Sequence, residues 1–348
     1  MGHTTRMATI IQYLLEKNYN VLFAGNEWQC RYIQDTFTGI ETVHLDGYNV
    51  RYAQHALGFK PYFIQQLPRI FQVIRSEHQW LRHLATTRKI DAILSDNRYG
   101  LHHPEIPSVF ITHQLRVQTG MGTLADTLFQ RLHYRQIQRF QQCWVVDIAT
   151  PPGLSGTLGH PSQLPAQTSY IGWLSQLSNT DFNASSEQHI LILLSGPEPQ
   201  RSMLSSILWE EAGVLQRPVV FVEGSQQAQE PSAIPAHITY HKLLTRAQLH
   251  PLLKNASMVV CRSGYSTLMD LMAAQKKAIL IPTPGQTEQE YLGSYLHEKG
   301  IFYCSHQSQF SLSKCLQAAR HFPFHPLATV NCMALYKPVV DHWLQELP

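Results

Sequence analysis

Every apolar run in this chain is strand-sized, and each is separated from the next by enough sequence for a helix or a long loop. Runs at 21–24, 92–95, 108–112 and 144–146 are short and largely β-branched or aromatic. A Ser/Gln/Asn-rich stretch at about 175–188 interrupts the pattern, which restarts with 190–194, 219–222, 238–240, 258–261 and 278–281. Parallel strands need crossovers of that length, so the spacing predicts βαβ units and an α/β fold class. At 348 residues the chain exceeds the ~250–300 at which single cores stop growing, so two halves are expected. The expected boundaries are an N-terminal domain over 1–172, a linker over 173–188, a second domain over 189–325 and a C-terminal helix over 326–348. Leu67, Ile70, Phe71, Ile74, Leu81 and Leu84 fall on one face of a helix before the second run. Pro338 predicts a kink in the C-terminal segment, or a new helix starting there.

Composition narrows the class of function. Charged residues are 15% of the chain and the formal net charge is +3, too mild to argue for nucleic acid. The 19 histidines are scattered, with no HExxH and no tract, so no metal site is indicated. Six cysteines form no CxxC pair, and no signal peptide precedes them, which suits buried reduced thiols in a cytoplasmic protein. No run approaches the ~20 residues needed to cross a bilayer, so the chain is expected to be soluble or at most peripheral.

The N-terminus departs from the pattern. Met1-Gly2-His3-Thr4-Thr5-Arg6 runs directly into an amphipathic stretch carrying Met7, Ile10, Ile11, Leu14 and Leu15. A glycine turn entering a helix needs a strand to feed it, and none precedes this one. In a doubly wound sheet that strand would be the central first one. The expectation is that the first strand is absent from this chain, with Met1 internal to a longer natural protein or the start misassigned.

Two segments carry chemistry. In the first, a buried strand ending at Cys261 is followed by Arg262-Ser263-Gly264-Tyr265-Ser266-Thr267, then helix to Asp270 and beyond. Backbone N–H groups and the positive end of the helix dipole at a strand's carboxyl end suit a diphosphate. Arg262 would add a cation, and Asp270 would accept hydrogen bonds from vicinal ribose hydroxyls. The same residues also suit an ordinary strand–turn–helix junction. The second segment, a strand at 278–281 and then Pro282-Thr283-Pro284-Gly285-Gln286-Thr287-Glu288-Gln289-Glu290-Tyr291, repeats the layout. Its amides and carboxylates suit sugar hydroxyls, or a solvated helix start.

Arg262-Ser263-Gly264 with Asp270, and the Pro282 loop closing on Gln289-Glu290-Tyr291, resemble the donor half of GT-B glycosyltransferases. The nearest are the family 28 enzymes, typified by the lipid II-forming N-acetylglucosaminyltransferase. Gly2-His3 looks like the end of that family's glycine-rich acceptor-side loop. Ser95-Asp96-Asn97-Arg98-Tyr99-Gly100 and Thr112-His113-Gln114-Leu115 look like signatures of an uncharacterised bacterial branch. The resemblance covers nearly the whole chain. It implies two Rossmann-like domains facing across a cleft, with the C-terminal helix crossing back onto the N-terminal domain. It also implies that Ser263, Gly264, Ser266 and Thr267 hold the donor diphosphate, with Ser195 and Gly196 near phosphate. Asp270 would bind the ribose, Leu244 would lie where the base is gripped, and Gln289 and Glu290 would touch the transferred sugar's hydroxyls, with Gln286 and Glu288 crowding the same loop's end. Glu290 stands where the family has an amide, and Asp270 where it has a glutamate.

The activity implied is metal-independent transfer of a hexose or N-acetylhexosamine from a UDP-sugar to an acceptor hydroxyl on a glycan or lipid-linked molecule, with inversion. No Asp-x-Asp occurs to hold a metal, and no cofactor beyond the donor substrate is implied. His3 suits the base, since an imidazole of pKa ~6.5 accepts protons near neutrality, with Asp96 to orient it. His113 is the competing base. Arg131, Arg135 and Arg139 recur beside Leu124, Leu128 and Leu132, a solvated face or a contact for anionic lipid at the inner face of a membrane. Two alternatives are a UDP-sugar hydrolase or 2-epimerase on the same fold, and a non-catalytic nucleotide-sugar-binding protein. The 2-epimerases carry a Gln-Glu-Glu cluster after the Ser-Gly turn, where this chain has Tyr265-Ser266-Thr267. A Rossmann dehydrogenase is disfavoured because no GxGxxG follows a strand.

Overall fold

The computed structural model of the chain describes residues 2–47, 59–119, 121–177, 188–325, 332 and 334–347, without the side chains of 59–67. The chain divides into two compact units, one of 1–51, 59–176 and 330–348, the other of 52–58 and 177–329.

The first unit contains α1 (Gly2–Glu16), β1 (Leu22–Gly25), α2 (Glu27–Thr36), β2 (Glu41–His44), α3 (Phe59–Thr87), β3 (Ile93–Asp96), β4 (Ser108–Thr112), α4 (Thr123–Ile137), β5 (Gln142–Val145) and β6 (Thr168–Tyr170). Strands β1 and β2 form one parallel pair; β3, β4, β5 and β6 form a parallel sheet in that order. A doubly wound half has the strand order 3-2-1-4-5-6. Here β2 and β1 hold the third and second places and β3 onward the fourth and later ones. No described residue holds the first place, and α1 is the helix that would follow it. Ala8 and Ile11 of α1 pack on Ile33 and Ile40, which ties the helix to the β1–β2 pair. α2 is started by a capping box between Asn26 and Gln29.

Just past β5, the buried Asp147 gathers the loop that follows. Its carboxylate accepts hydrogen bonds from the amides of Ile148, Leu154 and Ser155, the Ser155 hydroxyl and Trp173 Nε1. Burial works against the charge, but these donors and the neighbouring His160 outweigh it, and the carboxyl is held below its usual range.

The second unit contains β7 (His189–Leu193), α5 (Gln200–Gly213), β8 (Val219–Val222), β9 (Ile238–His241), α6 (Arg246–Lys254), β10 (Ala256–Cys261), α7 (Tyr265–Ala273), β11 (Ala278–Leu280), α8 (Thr287–Glu298), β12 (Tyr303–Cys304) and α9 (Leu312–Ala319). All six strands are parallel, in the order β9-β8-β7-β10-β11-β12, which is the doubly wound order in full. Ile190, Ile192, Leu204, Leu208, Phe221, Val260 and Ile279 fill its core. The winding reverses between β7 and β10, so the crevice for a ligand opens at their carboxyl ends, after Leu193 and Cys261.

α10 (Tyr336–Gln345) belongs to the first unit. Its Trp343 meets Trp144 of β5 edge-on with ring centroids 5.4 Å apart, and Asp341 accepts a 2.8 Å bond from the Tyr13 hydroxyl of α1. Pro338 lies in the helix's first turn, where a missing N–H removes no intrahelical bond.

Three expectations need amendment. Of the C-terminal helix expected over 326–348, the structure shows Tyr336–Gln345 as helix, and 326–331, 333 and 348 lie outside the described residues. Ile74 and Leu81 are buried, but Phe71 is 44% exposed, so the apolar face of α3 is narrower than its periodicity suggested. The linker expected over 173–188 begins later: 173–177 are ordered parts of the fold with Trp173 and Leu174 buried, while 178–187 lie outside the described residues.

Candidate functional site

In the second unit, Leu193 of β7 and Cys261 of β10 are register partners, so the segments after them start side by side. After β7 come Ser195 and Gly196, the latter at φ +111°, a conformation that favours glycine. After β10 come Arg262, Ser263 and Gly264, and α7 starts at Tyr265. Gly264 is the N-cap and supplies no side-chain hydrogen bond. The opening amides of a helix have no acceptors within the helix, and this end also carries its positive partial charge. A Cβ placed on Gly264 would meet nothing within 4 Å, so the space over the turn is open. Ser266 and Thr267 lie half-buried in the first turn of α7.

The second loop, between β11 and α8, is strapped to the first. Ser263 Oγ donates to the main-chain oxygen of Gln289 at 2.8 Å, while Gln289 Oε1 accepts from the amide and hydroxyl of Thr283, both at 3.0 Å. Glu290 accepts from the Gly285 amide at 2.8 Å, and Gln286 caps α8 with no side-chain bond of its own. The sequence-selected residues of both loops are therefore brought together. Several are occupied in ways the sequence did not suggest.

Arg262 is the main correction. Its side chain is buried, with Nη1 donating to the main-chain oxygens of Ile281 and Pro282 and to Gln307, and Nη2 to Gln200 O. Burial pushes its pKa down to about 10. It clamps the Pro282 loop rather than standing as an open cation, because a buried guanidinium must spend its donors on the nearest carbonyls. Gln289 is likewise turned inward, its amide oxygen engaged by Thr283. Asp270 Oδ1 receives a 2.7 Å bond from Arg246 Nη2 of α6, so a ribose there would share the carboxylate with that arginine. Arg246, Thr267 and Asp270 line a small cavity of about 40 Å³. Leu244 lies half-buried just ahead of Thr245, whose side chain caps α6.

In the first unit, His3 opens α1, Asp96 ends β3 and His113 follows β4, all at carboxyl ends of strands or at a helix start. What joins them is Arg6, a residue the sequence reading passed over. Arg6 is buried; its Nε donates to Asp96 Oδ2 at 2.9 Å and its Nη2 to Asp96 Oδ1. Nη1 lies 3.0 Å from His113 Nδ1, and Nη2 lies 3.0 Å from His3 Nδ1. His3 Nδ1 is also 3.2 Å from Asp96 Oδ2, and the His3 side chain is 55% exposed. Burial disfavours the Asp96 charge, but the Arg6 cation, then His3, hold the carboxyl well below the usual range. The missed signal was spacing: Arg6 is three residues after His3, on the same face of a helix.

The two segments read as branch signatures serve packing as well. Arg98 donates to Glu77 Oε1 at 2.8 Å and Gly100 N to Glu77 Oε2 at 3.1 Å. Gln114 O meets His133 Nε2 at 3.2 Å. Of the stripe along α4 and just past it, Arg131, Arg135 and Arg139 are exposed, as are Leu124 at 88% and Leu128 at 57%, while Leu132 is half-buried.

The fold compares across nearly its whole length with solved glycosyltransferases. The glycotransferase of kitacinnamycin superposes with a TM-score of 0.65 at 14% identity, covering 98% of this chain and 94% of that one. MurG of Acinetobacter baumannii gives 0.57 at 16% identity, covering 99% and 96%. Residues 216–331 match the glycosyltransferase family 28 C-terminal domain. The chain has a GT-B fold, and its second unit carries the stretch similar to family 28. The sequence is also 32% identical, over 148 residues, to the UDP-N-acetylglucosamine--N-acetylmuramyl-(pentapeptide) pyrophosphoryl-undecaprenol N-acetylglucosamine transferase of Pseudomonas entomophila. The enzyme of the same name from Pseudomonas putida matches equally, at 32% over 148 residues. Each match spans 40% of this chain and 40% of the relative.

Proposed function

We propose that the chain transfers a hexose or N-acetylhexosamine from a UDP-sugar to an acceptor hydroxyl, by direct displacement with inversion and without a metal. The observation that carries this reading is the start of α7, with no side-chain cap, beside a half-open turn at the carboxyl end of the switch-point strand. The α7 amides, with the hydroxyls of Ser266 and Thr267 and the Gly196 turn, hold the diphosphate and take up the charge it gains on leaving. Asp270 and Arg246 together face the ribose, and Leu244 lies at the base. Gln286 and Glu290 approach the sugar, while Arg262, Ser263 and Gln289 hold the loops in shape. His3 takes the acceptor's proton, with Asp96 behind it.

The acceptor class we favour is lipid-linked. The names of the curated relatives specify an undecaprenol pyrophosphoryl substrate, and the first unit offers a surface suited to anionic lipid. Arg75, His78, Arg82, His102 and Arg139 line a recess of about 370 Å³, and α4 exposes Leu124 and Leu128. No helix among the described residues is long and apolar enough to cross a membrane. Pelleting with vesicles containing anionic phospholipid, but not with phosphatidylcholine alone, is the expected outcome. Arg75→Gln with Arg82→Gln weakens it.

A thermal-shift series tests the donor. UDP and UDP-sugars raise the melt, by the equivalent of about 2.7 kcal/mol at a hundred times the dissociation constant, and NAD does not. A shift by NAD alone would overturn the reading. Free sugar formed equally with and without acceptor would make the chain a hydrolase.

A further inference from the structure

The guanidinium of Arg6 touches the same kind of atom, Nδ1, on two histidines, and that fixes what each can do. A neutral imidazole has one N–H and one lone pair, whereas a guanidinium nitrogen only donates. His113 Nδ1 must therefore hold the lone pair toward Arg6 Nη1, 3.0 Å away, and Nε2 the proton. His113 and Arg6 are both buried, so protonating that Nδ1 would set N–H against N–H and put a second cation beside a buried one. The basic nitrogen of His113 is covered.

His3 is placed differently. Its Nδ1 has a donor, Arg6 Nη2 at 3.0 Å, and an acceptor, Asp96 Oδ2 at 3.2 Å. One nitrogen serves only one of them at a time. With Nδ1–H turned to Asp96, Nε2 carries the lone pair of a side chain that is 55% exposed. With Nδ1 accepting from Arg6, Nε2 carries the proton and is no base. Asp96, already held by two nitrogens of Arg6, stands fixed and ionised for the first form.

We propose that Arg6 is a positioning residue that withdraws His113 from proton transfer and presents Asp96 to His3, leaving His3 Nε2 as the proton acceptor. This rests on the transferase reading above. As the acceptor oxygen bonds to the anomeric carbon, its proton passes to Nε2. The bond from that carbon to the diphosphate oxygen breaks, and its electron pair leaves with the diphosphate. The imidazolium so formed keeps Nδ1–H on Asp96, and the one carboxylate then faces two cations, Arg6 and His3.

Nitrogen-15 NMR of the histidine rings reads the tautomers directly, in the unliganded full chain at a pH above the imidazole range. The expected result is His113 in the Nε2–H form, with Arg6→Gln releasing it to a mixture and Arg6→Lys falling between. In kinetics, Arg6→Gln lowers kcat at least tenfold, leaves UDP affinity within about twofold and moves the acid limb of the pH–rate profile to higher pH. The groups facing His3 are Arg6 and Asp96, with His113 reached through Arg6, and removing the Arg6 cation favours the imidazolium. His3→Gln costs at least ten times more turnover than His113→Gln. A wild-type His113 in the Nδ1–H form, or a His113→Gln variant more damaged than His3→Gln, would overturn the proposal. Tautomers as assigned in a chain that turns over no UDP-sugar would leave the Arg6 arrangement standing and sink the transferase reading instead.

Discussion

At the scale of single residues, the polar groups that matter most here are buried ones with more than one partner. Asp147 accepts from three amides, a hydroxyl and an indole. Asp147→Asn turns an N–H₂ toward those donors and is expected to cost roughly 3 kcal/mol in urea unfolding at pH 7. The sign with pH follows from its lowered pKa. The native carboxyl stays ionised below the unfolded value of ~3.9, so its contribution is complete above that pH and is lost as pH falls through the native value. The wild type should lose stability steeply below about pH 4, and Asp147→Asn should show a shallower acid limb; parallel limbs would refute the assignment. None of this was legible in the sequence, where Asp147 follows an apolar strand like any loop carboxylate. Arg6 was hidden similarly, as a charged residue on an amphipathic helix whose default place is solvent.

At the scale of elements, the strands the sequence reveals are those that carry a run of consecutive apolar residues, most fully in β4, β7 and β8. Each of the nine runs read as strands became one, with ends shifted by up to two residues. The strands missed are β2, β6 and β12: short edge strands with half-exposed residues, such as Glu41-Thr42-Val43-His44, which carry no apolar run to betray them. The turn after β10 was visible because strand, Ser-Gly and helix follow in order. What its side chains do was not, because whether Arg262 faces a ligand or a carbonyl depends on the neighbouring loop. The element itself makes a prediction with two opposed signs. Gly264 has an ordinary negative φ and open space at its Cβ, so Gly264→Asp is sterically tolerated. As an N-cap carboxylate it stabilises α7 by about 1 kcal/mol. The same charge repels a diphosphate, so UDP affinity should fall at least tenfold while the melting temperature holds or rises. Affinity unchanged would move the phosphate elsewhere.

At the scale of the whole molecule, the first unit is built from both ends of the chain. Trp343 of α10 is buried against Trp144, and Trp343→Ala should cost about 3–5 kcal/mol of that unit's stability, read by hydrogen exchange in β4 and β5. UDP protection of the second unit should survive the substitution. This division has a consequence during synthesis. The ribosome releases the N-terminal sheet strands early, yet the helix that covers Trp144 follows every described strand of both units. The later-made half can close first, and the earlier-made half waits with an apolar seam uncovered, an order opposite to the usual one. Nascent chains stalled before Tyr336 should therefore draw chaperones to their opening residues rather than to their newest ones.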